Sequence, residues 1–246
     1  METQTKKYEP RIVRGRIELW VPHQDGEIAF APLTNPGSYQ QIGTEIIGDS
    51  ERETNQRLPT GDETASQIHV AYCTLNPEIS NAPEYKTIRD RIRANWIHVF
   101  NRISWAFAGK YVLQDTTANG TSKPLDLDML YELLKDGTEI NGVKFSTDGR
   151  VRFAPRETYR LGEHTPESLS LDGGVIAEYG IDGARKLAEV SKNFRYNPIT
   201  DGIEVQKRKD LEQRVSALAD DLGGRLLLVG SYRVDDGGGC ASGVWK

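Results

Sequence analysis

A short apolar strand near the carboxy end constrains this chain most. Arg225-Leu-Leu-Leu-Val229 stands between the turn signal Gly223-Gly224 and Gly230. An apolar run of that length bounded by glycines reads as a buried strand. Taken alone, Asp235-Asp236 and Gly237-Gly238-Gly239 would suit a mobile terminal loop. A core strand followed by Gly243-Val244-Trp245 argues instead that the end of the chain is built into the fold. The same region has a restricted alphabet: Ala217 to Val244 contains no Lys, Glu, Gln, Met, Trp or Asn, whereas Glu204 to Gln213 is rich in Lys, Glu and Gln. At average composition such a window arises with odds on the order of one per cent. An Asn codon whose adenines are randomised encodes many residue types but never Lys, Glu, Gln, Met or Trp, and the window stays within that menu.

The frame Arg214-Val-Ser-Ala-Leu218, Arg225-Leu226, Gly230 and Gly239-Cys-Ala-Ser-Gly-Val244 resembles the carboxy-terminal variable region of diversity-generating retroelement (DGR) variable proteins. Val151-Arg-Phe-Ala-Pro155, Gly162-Glu-His-Thr-Pro166 and Asp172-Gly-Gly-Val-Ile-Ala-Glu-Tyr-Gly180 are similar to the scaffold of such proteins, in the archaeal and small-genome bacterial branch and its formylglycine-generating-enzyme-like subgroup. The resemblance covers roughly the last hundred residues. It departs from the family where Cys240 and Ser242 replace an aromatic near the closing frame. It implies a C-type lectin-like fold that displays loops rewritten by an adenine-mutagenising reverse transcriptase. The formylglycine-generating enzymes' own tail cysteines are not reproduced, and a shared fold does not transfer catalysis.

The chain has 246 residues, a net charge of −5 and two cysteines, Cys73 and Cys240, which either pair or stay free. The length admits one large domain or two small ones. The resemblance implies a single domain over 1–246, with a loop-rich part at 1–80 and the variable region at 214–246. The acidic balance argues against a nucleic-acid or anionic-membrane partner. No apolar run suits a signal peptide or a membrane span. The expectation is cytoplasmic synthesis, with any external role reached through a virion or surface attachment.

Alternation from Arg11 to Val21 predicts one half-buried strand, and Asn35–Ser38 and Ile47–Asp62 have the composition of long loops. Thr64 to Cys73 suits a short helix. From Pro83 to Phe107 the residues Ile88, Ile92, Trp96, Val99, Phe100, Ile103 and Phe107 recur at three- and four-residue steps, which predicts a long amphipathic helix. Lys110 to Gln114 reads as a strand, Leu127 to Leu134 as a helix capped by Asp126, and Val143 to Phe153 as a hairpin turning at Asp148-Gly149. Thr165 and Asp182 are candidate caps for two further helices, the second from Gly183 to Lys192 with Ala184, Leu187, Ala188 and Val190 inward. The order of elements predicts an α+β fold.

No catalytic, metal or cofactor motif stands out. Arg93-Ala-Asn-Trp-Ile-His98 has the spacing of a HEPN-like ribonuclease or toxin, the alternative reading, but Arg-x4-His arises readily in an arginine-rich helix. His164 is expected to order a loop, and His23 and His69 have no partner legible in the sequence. Asp220-Asp221 and Asp235-Asp236 invite a calcium reading, yet their spacing matches neither an EF-hand nor the calcium-lectin motifs. The expectation is therefore a non-enzymatic display protein for a protein or other macromolecular ligand, its oligomeric state left open with a monomer favoured; a structural virion or adhesin component is the third reading. Strand alternation assigns Leu222, Arg225, Leu226, Leu228, Gly230, Val234 and Gly239 onward to the scaffold. The displayed set is Asp220, Asp221, Gly223, Gly224, Leu227, Val229, Ser231, Tyr232, Arg233, Asp235, Asp236, Gly237 and Gly238. Tyr232 and Arg233 are its expected affinity anchors.

Overall fold

The computed structural model describes residues 8–15, 17–48, 54–221 and 224–246. Three strands open the chain, β1 (Arg11–Val13), β2 (Glu18–His23) and β3 (Gly26–Phe30). The alternating stretch from Arg11 to Val21 is thus two strands, because the chain doubles back and pairs Val13 with Glu18. Helix α1 (Tyr39–Ile47) follows between the two loop-like stretches. Ser38 and Gln41 form its capping box, and Tyr39, Ile42 and Ile46 bury one side of it. Then come β4 (Gln56–Arg57) and α2 (Gly61–Cys73), which Thr60 and Glu63 cap reciprocally.

The long helix expected from Pro83 to Phe107 is two elements. After the short α3 (Pro77–Ser80), α4 (Pro83–Ala94) ends at Asn95, and β5 (Trp96–Ala106) begins at once. Both faces of β5 are buried, so apolar residues occupy both, and their combined spacing imitates a helical period. The density of Ile, Val, Phe and Trp over Trp96–Trp105 is the strand signal. Antiparallel β6 (Gly109–Gln114) pairs with it, and α5 (Leu127–Lys135) is capped by Asp126 as expected. Strands β7 (Thr138–Ile140), β8 (Val143–Phe145) and β9 (Val151–Pro155) form a meander, and β10 (Gly162–Glu163) is an edge strand.

Helix α6 (Pro166–Leu171) is capped by Thr165. Helix α7 (Gly173–Ser191) starts ten residues before the expected Gly183, with Asp172 rather than Asp182 as its cap. It is interrupted at Gly180 (φ 70°), where a Cβ would collide with the Asp62 carboxylate. Asp182 instead pairs with Lys186 at 2.7 Å. The chain ends with β11 (Ile199–Asp201), β12 (Leu211–Asp221), β13 (Arg225–Tyr232) and β14 (Val244–Trp245).

The strands form a nine-stranded sheet in the order β10-β11-β13-β12-β5-β6-β9-β8-β7 and a five-stranded sheet in the order β1-β2-β3-β14-β4. One face of the large sheet, with Ile97, Val99, Ile103, Trp105, Leu218, Leu226 and Leu228, shares the main core with α2, α4 and α7. Burying each such Leu or Ile contributes about 1.5–3 kcal/mol. On the other face α1 covers Phe100 and Val215 with Tyr39, Ile42 and Ile46. The C-terminal segment supplies β13 to the middle of the large sheet and β14 to the small one, so it ties the two together. Among the described residues no helix is long and apolar enough to cross a membrane.

Candidate functional site: an open sheet face beside an aromatic cluster

Residues paired across neighbouring strands point to the same side of a sheet, so the register sorts the C-terminal segment into two faces. Leu218 pairs with Leu228 and Asp220 with Leu226, and the leucines of this set enter the main core, at 3% and 0% exposure for Leu228 and Leu226. The intervening residues form rows on the opposite face. One row runs Glu163, Ile199, Leu227, Ala219, Trp96, and the next runs Asp201, Val229, Ala217, His98. Toward the β12–β13 turn this face is partly open: Ile199, Leu227, Ala219 and Trp96 are half-buried.

An aromatic cluster bounds the face on the β5 side. The Trp96 and Tyr232 rings lie 5.0 Å apart, His98 and Tyr232 5.9 Å apart, and His98 meets Tyr39 edge-on at 5.6 Å. His98 Nε2 lies 3.2 Å from the Gly37 carbonyl, an acceptor, so this nitrogen carries the proton in the neutral ring. Burial lowers the His98 pKa to about 4, against a smaller upward pull from that hydrogen bond. Trp96 Nε1, His98 Nδ1 and Tyr232 Oη are buried without hydrogen-bond partners among the described residues. Burial first, then the Asp236 carboxylate, raises the Tyr232 pKa.

The chain leaves β13 through Arg233–Gly238 and returns to the start of β5. Arg233, Asp235, Asp236 and Gly237 are exposed. Cys240 N donates to Trp96 O at 3.2 Å and His98 N to Cys240 O at 2.9 Å, which fixes the return. Gly239 passes so close to Trp96 Nε1 and His98 Nε2 that any Cβ there would collide with both.

The residues expected to be displayed divide accordingly. Leu227, Ser231 and Tyr232 lie beside the open face, and Arg233, Asp235, Asp236, Gly237 and Gly238 form the loop leaving it. Val229, expected in solvent, is only 9% exposed, because its row lies one step nearer the aromatic cluster and forms floor rather than rim. Asp221 is exposed at the turn, 3.9 Å from Arg225. Asp220 pairs with Leu226 and so belongs to the core-facing side; burial raises its pKa, against a downward pull from Arg93 among others. Gly224 adopts φ 79° and its carbonyl accepts from Arg195 N and Tyr196 N. Gly223 and Leu222 lie outside the described residues. The two aspartate pairs sit at opposite ends of β13, so they do not converge on one cation.

Other residues at this face were not legible in the sequence. Trp96 was hidden in the expected helix. Ile199 and Asp201 come from the short strand β11, and Ser231 Oγ donates to Asp201. Tyr196 carries the Arg195 and Arg225 guanidinium groups at 5.1 and 5.4 Å from its ring centre. The adjacent Arg195-Tyr196 pair was the signal available in the sequence.

Arg93 and His98 share no helix. Arg93 is exposed in the last turn of α4, whereas His98 is buried in β5, which removes the helical premise of the ribonuclease reading. His164 bridges its loop, with Nε2 3.0 Å from Thr200 Oγ1 and Nδ1 3.4 Å from Ser168 Oγ. His23 meets Ser66 at 2.9 Å and His69 meets Glu189 at 2.6 Å. Cys73 and Cys240 are both free thiols.

These observations define an α+β protein with one partly open sheet face built largely from its C-terminal segment. No protein-family model matches the chain, and no curated protein does. Among solved structures the chain is similar to one described as "Accommodation of massive sequence variation in Nanoarchaeota by the C-type lectin fold", at 13% identity over 86% of this chain and 95% of that chain, with a TM-score of 0.46.

Proposed function

We propose that this chain is a ligand-binding display protein with a C-type lectin-like fold, acting by binding rather than catalysis, whose C-terminal segment is diversified by adenine-directed mutagenic retrohoming. One observation carries the reading: within the restricted-alphabet window, one side of β13 builds the core while the other side and the following loop meet solvent. Such an arrangement lets side chains change without unfolding the protein, as antibody loops do on their framework. The sequence resemblance to DGR variable proteins supports the same reading. The partner on this account is a protein or another macromolecule, and nucleic acid is disfavoured by the charge of −5.

The test is genetic and biochemical. The flanking DNA is expected to encode a reverse transcriptase and a near-identical repeat of the segment whose differences fall at template adenines. Chains carrying different segments on the same framework should bind different ligands with unchanged melting. Flanking DNA without such a repeat would reject the diversification, and identical binding by all segments would reject the display role.

A further inference from the structure

The charges around the open face are not evenly distributed. At the turn end Arg225 is held between Glu163, at 3.5 Å, and Asp221, at 3.9 Å, and stacks on Tyr196. At the aromatic end the carboxylates of Asp201, Asp235 and Asp236 have no ion-pair partner among the described residues, and Asp236 lies close enough to Tyr232 to raise its pKa. Arg233 is the cation beside them, and Arg195 lies at the far end by Gly224. Asp201 accepts the neutral Ser231 hydroxyl, so three carboxylates without an ion pair stand against one guanidinium, and that end is acidic. Between the two ends lies the partly open apolar row of Ile199, Leu227 and Ala219, and no cation covers the half-buried Trp96 among the described residues.

We propose that the partner at this face is a protein segment that presents a Lys or Arg side chain beside an aliphatic one. The cation sits against the Trp96–Tyr232 pair within the field of Asp201, Asp235 and Asp236, and the aliphatic group lies on Leu227, Ile199 and Ala219. An indole face attracts a cation through its quadrupole, and nearby carboxylates with no ion-pair partner add to that attraction. An acidic segment meets repulsion from the same three groups. A nucleic-acid backbone meets it too, which separates this partner from a phosphate-bearing one. The inference rests on the binding role given to this face above.

The experiment selects a random peptide library displayed on phage against the full chain and titrates the enriched peptides at low and high salt. The expected result is enrichment of Lys or Arg next to Leu, Ile or Val, with affinity lost on Trp96→Ala and reduced about fivefold by the pair Asp235→Asn and Asp236→Asn, an effect that shrinks in high salt. Acidic or uncharged consensus peptides, or equal affinity for the Asn pair, would overturn the proposal. Leu227→Asp separates the location of the site from the chemistry of its partner. Loss of binding in Leu227→Asp with no effect of the Asn pair rejects the basic partner but keeps the face as the site. Unchanged binding in Leu227→Asp, or no selected peptide above an unrelated control protein, rejects the face itself. Circular dichroism and melting of each variant distinguish lost contacts from lost folding.

Discussion

Ser216, within β12, donates its hydroxyl proton to Glu178 Oε2 at 2.6 Å in the middle of α7. Glu178 also receives Lys110 Nζ, which bonds to the Gly174 carbonyl at 3.0 Å and lies 4.9 Å from the Trp105 ring centre. Trp105 Nε1 in turn donates to Gly230 O at 2.8 Å. A buried ion pair and its hydrogen bonds therefore hold β12, β13 and α7 together from the core side.

This network predicts an asymmetric mutational response. Glu178→Ala strands the Lys110 ammonium in the core, and both side chains are 5% exposed. Removing one partner of such a pair is expected to cost about 3–5 kcal/mol. Ser216→Ala removes a single donor and should cost about 1–3 kcal/mol. Urea unfolding measures both, and a loss below about 1 kcal/mol for Glu178→Ala would mean that the pair is solvated in solution.

Substitution tolerance should follow the two faces of β13. Leu226→Ala and Leu228→Ala should each lose about 2–5 kcal/mol. Replacing Arg233, Asp235 and Asp236 should stay within about ±0.5 kcal/mol per position, because those residues are exposed. Val229 belongs with the sensitive group despite its place on the outer face. Thermal shifts that ranked Val229 with Asp236 would refute the assignment of Val229 to the floor.

Gly239→Ala should destabilise by about 2 kcal/mol or more, since the new methyl meets two packed rings. Gly237→Ala, where no atom lies within reach of a Cβ, should be nearly neutral. Equal melting temperatures for the two variants would show that the loop return shifts freely.

Acid should weaken the fold through His98. Its folded pKa of about 4 lies below the ordinary 6.5, so the unfolded chain binds the proton first as pH falls. The stability it contributes is whole above pH 6.5 and drains away between pH 6.5 and 4, by about 3 kcal/mol at the lower limit. Burial also lowers the pKa of His23 and His164, giving losses of the same sign. Urea midpoints from pH 7.5 to 4 should therefore fall less steeply in His98→Gln than in the unaltered chain. Parallel pH profiles would place the loss elsewhere.

Local chemistry made much of the fold legible in the sequence. The caps at Asp126 and Thr165 and the turn at Asp148-Gly149 each rest on residues a few positions apart, and each appears in the structure. The change from α4 to β5 was hidden because the apolar pattern reports burial, and a strand buried on both faces satisfies more than one period. The start of α7 was missed because its cap, Asp172, precedes two glycines, which lower helix propensity but here allow close packing against Thr158 and Tyr159. At the open face, alternation along β13 placed Leu226 to Leu228 correctly. The contribution of Trp96 depends on pairing with Ala219, over a hundred residues away in the chain, and those of Ile199 and Asp201 on a parallel pairing with Leu227 and Val229, with β12 intervening in the chain, and no local pattern encodes either.

The return of the C-terminal segment fixes a quantity that side-chain chemistry does not touch. Ser216 is bound to α7, while Gly239, Ala241 and Gly243 carbonyls accept from Gly37, Thr34 and Ala31 N–H groups at 2.8, 2.9 and 2.8 Å. With both ends moored, the number of residues between them is set by distance and register. A one-residue insertion in β13 would turn Leu226 and Leu228 outward, so among the described residues of this segment the slack lies in the loop at 233–238. Along β12 and β13 the fold thus admits exchange of residues at constant length, whereas a gained or lost codon there is filtered out at folding.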